Sequence, residues 1–574
     1  MKKLFEYIKP YSGVMLFGLF VKFAAAMLDL LIPFVLEKIL DDVVPTGDKV
    51  KVFTWGGIMV AFAVASVVTN VYANRLATRT SGKITLKLRH DLFAKISYLS
   101  AEDTDKFTIP SLISRLTTDT YNINQMLTRT QRLGIRGPIL LIGGIIITLT
   151  LDPILTLVLA GSLPIIAITV YFVTKISVPI YTSCQRILDR LVCVVQENIT
   201  GVRVIKALSK TEYEKKRFFA VNEKMAKEEE RAGFVMAITN PTASLVLNVG
   251  MTLVIIVGAF RVNSGLTETG KIIAFMSYFT IILNAMLGIT RIFIVCSKGA
   301  ASAARVEEVL NANEGLPITK CEAADSPYHI EMENVSFSYN KIENNLTDIK
   351  FKLRRGETLG IIGIIGSTGS GKSTIVNLLI RFYDPDSGTI RISGRDIRSI
   401  PRSELCPMFG IAFQNDFIMA NSIRENIDYG RMLSDGDIAH ALELAQAEEF
   451  VNATEGRTEH QLSARGTNIS GGQKQRLIIA RALAARPEIL ILDDSSSALD
   501  YKTDASLRKA LHNAFPDMTS VIIAQRISSI MNANHILVLD DGHIIGSGTH
   551  EELLRSCPTY MSIAETQMGG ERYA

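Results

Sequence analysis

The sequence predicts a multi-domain chain: a transmembrane domain of six α-helices with long cytoplasmic helical extensions, followed by an α/β domain built round a phosphate-binding loop. Three observations predict it. Six stretches stay apolar over the roughly 20 residues that a bilayer crossing needs; they lie near 14–36, 52–72, 133–151, 154–176, 242–262 and 271–296. Residues 366–374 read Gly-Ser-Thr-Gly-Ser-Gly-Lys-Ser-Thr between an apolar strand pattern and a helical one. The chain is 48% hydrophobic yet 21% charged, so apolar residues are segregated, and 574 residues leave room for more than one domain.

The membrane part takes residues 1–310, a linker 311–328, and the second domain 329–574. Links between spans alternate in length. Those at 37–51, 152–153 and 263–270 are short, whereas 73–132 and 177–241 are long and polar. The long links carry ten and eleven Lys/Arg, and the short ones only Lys38, Lys49 and Lys51. Basic residues stay on the cytoplasmic side, which puts both termini, both long links and the second domain in the cytoplasm. Leu88, Leu92, Ile96 and Leu99 recur at helical spacing, as do Ile187, Leu191, Val194, Val195 and Ile199, so the spans should continue as helices beyond the bilayer. The reversals should fall at Thr104–Pro110 and Gly201–Lys210. Lys22 and Asp29 lie inside the first span, where charge is costly and faces a bundle interior or water. Pro33, Pro164 and Gly143-Gly144 are candidate kinks.

After residue 328 the pattern changes to short strands, Ile330–Phe337 and Thr389–Ile392, alternating with helical stretches. Gly366, Ser367, Thr368, Gly369, Ser370 and Gly371 let backbone N–H groups turn inward around phosphate. Lys372 should reach the β- and γ-phosphates, Ser373 should ligate Mg²⁺, and a helix beginning near Lys372 and running through Thr374 adds its positive end. Asp493 ends the apolar run Ile489–Leu492, where a carboxylate suits a Mg²⁺ ligand. A net charge of +4 gives no nucleic-acid signal. The six cysteines lack any metal-binding spacing and read as isolated thiols.

Other motifs carry a resemblance to a known family. The run Ile469-Ser470-Gly471-Gly472-Gln473-Lys474-Gln475-Arg476 resembles the signature motif of ABC ATPases, with Ile in place of the usual Leu. Tyr339 is similar to the aromatic that stacks on adenine there, Gln414 to the Q-loop residue, and Ser497-Ala498-Leu499-Asp500 to the D-loop. Six spans followed by such a domain resemble an ABC exporter half-transporter over essentially the whole chain. The resemblance implies ATP and Mg²⁺ as cofactors, with Ser373, Gln414 and Asp493 on the metal. It implies a multi-pass chain in a bacterial cell membrane, embedded in the lipid bilayer, with a second half-transporter as partner. Tyr339, Gly366–Thr374, Gln414 and Asp500 would then serve ATP, and Ser470, Gly471, Gly472 and Gln473 the partner's ATP. The expected activity is ATP-driven export of a small hydrophobic or amphipathic molecule by alternating access. A homodimeric exporter or lipid flippase, or an ATP-gated channel, is the rival reading.

Two residues depart from the family at the catalytic positions. Asp494 stands where the family has the Glu that readies the attacking water, and Gln525 where it has a switch-loop His. Aspartate is one methylene shorter, and a misplacement of about 1 Å can cost on the order of 100-fold in rate. Glutamine donates a hydrogen bond but carries no charge and shuttles no proton. Both changes fall on the ATP of this chain's own loop while the signature is intact, so the resemblance points to a degenerate-site subunit paired with a different chain. Two smaller departures are Ala464-Arg465-Gly466, where relatives have Glu-Arg-Gly, and the doubling of Ile361-Ile362-Gly363 as Ile364-Ile365-Gly366. Three extra residues kept in strand register would flip the side-chain faces.

Overall fold

The structure, a computed structural model, describes residues 2–321, 324–363, 370–414, 417–495 and 499–568, with the backbone alone at a few positions inside helices. By packing it divides into two units, Met1–Ser97 with Phe107–Ala312, and Tyr98–Lys106 with Asn313–Ala574.

In the first unit, six helical segments of 43 to 53 residues each contain an apolar window able to cross a membrane. At 1.5 Å per residue such a segment reaches roughly 65–80 Å, well beyond a hydrocarbon core of about 30 Å. The surplus is the helical extension expected of the long polar links. The principal helices are α1 (Ser12–Lys38), α2 (Lys49–Ser97), α3 (Arg136–Leu151), α4 (Pro153–Thr200), α5 (Thr211–Ala237), α6 (Thr239–Asn263) and α7 (Thr269–Asn311). The reversal between α4 and α5 is the short helix Val202–Ala207. The tight link from α3 to α4 has a local cause. Asp152 accepts hydrogen bonds from the Ile154 and Leu155 N–H groups, and Pro153 occupies the first helical turn. The same buried carboxylate meets Arg261 at 2.8 Å, which ties α6 to this corner.

Leu30, Leu140, Phe275, Tyr278, Phe279 and Ile282 form the heart of this unit. Tyr278 is fully buried, and its hydroxyl donates to the Leu30 carbonyl at 2.6 Å. Lipid is as apolar as these side chains, so close contact rather than exclusion of water must hold the helices together. The glycines provide that contact. A Cβ on Gly144 would lie 2.6 Å from Ile282 Cγ1, and one on Gly143 would lie 2.7 Å from Leu30 Cδ1. Gly143-Gly144, read from sequence as a kink, seats neighbouring side chains inside an unbroken α3.

The intramembrane charges are both satisfied. Lys22 Nζ donates to Asn70 Oδ1 at 2.6 Å and Asn74 Oδ1 at 3.0 Å, one turn apart on α2. Asp29 accepts from Ser66 Oγ and, at 2.8 Å, from Arg136 of α3.

The second unit contains two sheets. Strands β1 (Ile330–Phe337), β2 (Leu346–Leu353), β3 (Thr358–Gly363), β4 (Ser387–Ile392), β5 (Arg395–Asp396), β6 (Phe409–Ala412), β7 (Ile489–Asp493), β8 (Thr519–Ile523), β9 (His535–Asp540) and β10 (His543–Gly548) order as β2-β1-β4-β5 and β10-β9-β3-β8-β7-β6. Pairings from β9 to β6 are parallel. Every residue of β7 is buried, as a parallel strand covered on both faces requires. The first Ile-Ile-Gly triplet completes β3 in unbroken register with β9, and Ile364-Ile365-Gly366 lie outside the described residues. Within this unit Tyr383 Oη donates to Asp105, and burial, then that carboxylate, holds the phenol pKa above its ordinary value.

Gly250 offers a direct test of the helix seats. Its added Cβ would lie 2.2 Å from Phe279 Cζ. Gly250→Ala should cost about 1–3 kcal/mol by overpacking, read as a lower thermal midpoint of the full-length protein in micelles. Phe279→Leu in the same chain should recover part of the loss; additive losses would count against a shared seat.

Candidate functional site

The residues read as phosphate- and metal-binding gather at the C-terminal ends of β3, β7, β8 and β6, the edge where open α/β sheets bind ligands. Helix α8 (Lys372–Leu379) starts there after Gly371, whose φ of 90° is a left-handed conformation that favours glycine. A Cβ at Gly371 would also strike Leu346 Cδ2 at 2.5 Å. Lys372 Nζ donates to Ser370 Oγ at 2.6 Å. Both groups crowd the face of Gly363, where a Cβ would lie 2.5 Å from the ammonium. Sequence reading had not assigned Gly363 a role; its bare backbone leaves room for the lysine head.

From the first turn of α8, Ser373 Oγ donates to Asp493 Oδ2 at the end of β7, at 3.2 Å. Asp493 Oδ1 is buried with no hydrogen-bond partner among the described residues. A bare buried carboxylate oxygen beside a serine hydroxyl fits a hard, oxygen-seeking dication. Burial raises the Asp493 carboxyl above the ordinary range, and burial lowers the Lys372 ammonium below its own. The site therefore holds charge of both signs at a desolvation cost in the absence of ligand.

Asp494 follows at the strand end with φ 50°, a left-handed backbone in which Asp and Asn are enriched. Its N–H donates to the Ile523 carbonyl at 2.9 Å. Its Oδ2 receives two side-chain amides, Gln525 Nε2 at 2.7 Å and Gln414 Nε2 at 3.1 Å. Burial is the largest influence on this carboxyl and raises its pKa, against the opposing pull of both amides. Around it the loops are tied to one another: Arg526 reaches the Leu499 carbonyl at 3.5 Å, and the Gln567 side chain hydrogen-bonds the backbone on both sides of Arg526.

The structure thus brings together Ser370, Lys372, Ser373, Gln414, Asp493, Asp494 and Gln525. Thr374 is buried inside α8. Gly366, Ser367, Thr368 and Gly369 lie outside the described residues, as do Ser497 and Ala498. Tyr339 stands half-exposed with its ring 5.1 Å from that of Tyr383 and its hydroxyl accepting from Asn377 at 3.0 Å. Ser470 and Gln473 close on each other in a capping box at the exposed start of helix α9 (Gly471–Leu483). Gly471 and Gly472 form the first turn, whose N–H groups suit an anion. Asp500 caps helix α10 (Tyr501–Ala514) through Thr503 N at 2.9 Å.

The burial cost at Asp494 can be measured. A carboxyl whose folded pKa lies above the unfolded value of about 3.9 destabilises the fold once it is ionised. That cost is present above the folded pKa and fades as pH falls toward the unfolded one. Asp494→Asn removes the charge, keeps an acceptor for both amides and suits the left-handed backbone. Without nucleotide the variant should unfold at a higher temperature than the wild type at pH 7.5, with the gap closing toward pH 4. A gap that widens on acidification would contradict this account.

Comparison with known proteins agrees with this architecture. The family described as ABC transporter transmembrane region matches residues 15–286, and the ABC transporter family matches residues 346–497. The chain is 33% identical over 574 residues to the uncharacterized ABC transporter ATP-binding protein YfiB of Bacillus subtilis (strain 168), covering 100% of this chain and 99% of the relative. It is 32% identical over 570 residues to Rv1273c of Mycobacterium tuberculosis (strain H37Rv), another uncharacterized ABC transporter ATP-binding protein, covering 98% and 97%. Among solved structures, a bacterial Atm1-family ABC exporter with ATP bound superposes with a TM-score of 0.83 over 98% of both chains, at 22% identity. The chain belongs to the ABC transporter family: it is a multi-pass half-transporter of exporter fold that acts as a dimer and couples ATP hydrolysis to transport.

Proposed function

We propose that this chain is one half of a heterodimeric bacterial exporter, that its own Walker site holds ATP and hydrolyses it slowly, and that its signature Ser470–Gln473 completes the hydrolytic site of a different partner chain. The observation that carries this reading is the surroundings of Asp494. The carboxylate at the water-activating position is short by one methylene, and two neutral amides, those of Gln414 and Gln525, donate to its Oδ2. Neither amide takes up a proton, and the geometry supplies no imidazole at residue 525 to share one. Such a site retains a triphosphate better than it activates water.

On this reading Tyr339 stacks on adenine, and the loop from Gly366 to Thr374 cradles the phosphates. Lys372 meets the β- and γ-phosphates, and Gln525 donates to the γ-phosphate. Ser373, Gln414 and Asp493 hold Mg²⁺, which neutralises phosphate charge when bound. Asp500 serves the ATP as well. Both termini and the ATPase domain (329–574) are cytoplasmic in a cell membrane. Closure of two ATPase domains on ATP opens the transport cavity outward, and hydrolysis on the partner's side resets it. The cargo is a small hydrophobic or amphipathic molecule. In support, a cavity of about 750 Å³ in the helical unit has walls such as Ile32, Pro33, Met59 and Ile281 and also carries Asn284 and the Asp29–Arg136 pair.

The test is ATP turnover by the full-length chain alone in lipid nanodiscs. Turnover should be near background and should rise on the order of 100-fold in the Asp494→Glu, Gln525→His double variant. Robust hydrolysis by the unmodified chain alone would overturn the heterodimer and favour a homodimeric exporter.

A further inference from the structure

The last helix of the described chain, α11 (Pro558–Met568), packs into the core behind the switch loop. Tyr560, Ile563 and Ala564 are buried in the same cluster as Ala524 and Ile527. Gln567 lies one turn beyond Ile563 and Ala564, on the face they share. Its side-chain amide spans the switch loop: Ile527 N–H donates to Gln567 Oε1 at 2.8 Å, and Gln567 Nε2 donates to the Gln525 carbonyl at 2.8 Å. One planar amide thus satisfies the backbone on either side of Arg526. Both distances are those of good hydrogen bonds, and a pair made by one planar group restrains orientation as well as position.

From here the chain of contacts runs directly to the site. The residue whose carbonyl is held, Gln525, places its own amide on Asp494 at 2.7 Å. Rotating the peptide at Gln525 would swing that side chain off the carboxylate, and the two bonds from Gln567 oppose that rotation.

We propose that Gln567 is a positioning residue for the ATP site and that α11 sets, through it, the orientation of the switch residue Gln525. The role rests on the reading above, in which Gln525 meets the γ-phosphate. It goes beyond that reading in assigning control of the switch loop to the C-terminal helix. Displacement of α11 releases the loop, and with it the contact that separates a triphosphate from a diphosphate.

The experiment uses the full-length protein in nanodiscs. The probes are a fluorescent non-hydrolysable ATP analogue and the matching ADP, and amide exchange is followed over residues 523–530. Gln567→Ala should lower affinity for the triphosphate roughly three- to tenfold, the effect of losing one or two modest hydrogen bonds. ADP binding should stay within twofold, and exchange at Ile527 should accelerate. Gln567→Glu keeps an acceptor for Ile527 and loses the donor to Gln525 at neutral pH, so it should fall between the wild type and Gln567→Ala. Glu565→Ala, on an exposed position of the same helix, should change neither measurement. Equal losses for ATP analogue and ADP would mean a merely structural role and overturn the proposal, as would unchanged exchange at Ile527. Gln525→Ala separates the two layers. If it moves the triphosphate-to-diphosphate ratio and Gln567→Ala does not, the clamp is wrong. If Gln525→Ala leaves the ratio unchanged, the reading of the switch residue is wrong and the positioning role falls with it.

Discussion

Parallel pairing of β3, β8, β7 and β6 is the constraint on which the candidate site depends. Parallel strands end on the same edge, so Gly363, Asp493, the switch loop after Ile523 and Gln414 after Ala412 arrive together although they lie far apart in sequence. That edge receives the start of α8, whose dipole and free N–H groups favour an anion. A one-residue slip between β7 and β8 would turn Asp493 to the opposite face and part it from Ser373. The register of Asp493 with Ile523 therefore decides whether the chemistry exists. The continuous burial of β7 makes that register expensive to change.

The helical unit solves a different problem with the same economy. Water cannot satisfy a charge inside a bilayer, so Lys22 is given two asparagine carbonyls and Asp29 a serine and an arginine. The contrast with the ATP site is informative. Lys22 is hydrogen-bonded to its partners within the helix bundle. Asp493, by comparison, keeps a bare oxygen among the described residues. Hydrogen bonds to Lys22 and Asp29 tie helices together, and the bare carboxylate oxygen of Asp493 sits where a dication would fit.

The sequence made legible the features that rest on short-range pattern. The run Ile489–Leu492 read as a buried strand because no polar residue interrupts it, and Lys372 and Ser373 were found through a motif whose chemistry is local. The short link at 152–153 was likewise legible from the break between two apolar runs. Features set by the return of distant chain were not legible. Arg136, one partner of Asp29, is 107 residues away, and the Gln567 that holds the Gln525 carbonyl is 42 residues away. Gly143-Gly144 read as a weak point because glycine lowers helix propensity; only packing shows that Leu30 and Ile282 occupy the space of the missing side chains. Nothing in the spacing of Gln567 distinguishes it from any other polar residue near the end of a helix.

The backbone at Asp494 bears on how such a site would change over generations. Its φ of 50° is a conformation that aspartate and asparagine tolerate better than residues with longer side chains. Aspartate therefore fits this turn with less backbone strain than a longer side chain would, and its carboxylate accepts from two amides. A change between aspartate and glutamate at this position would therefore alter backbone fit and side-chain reach together.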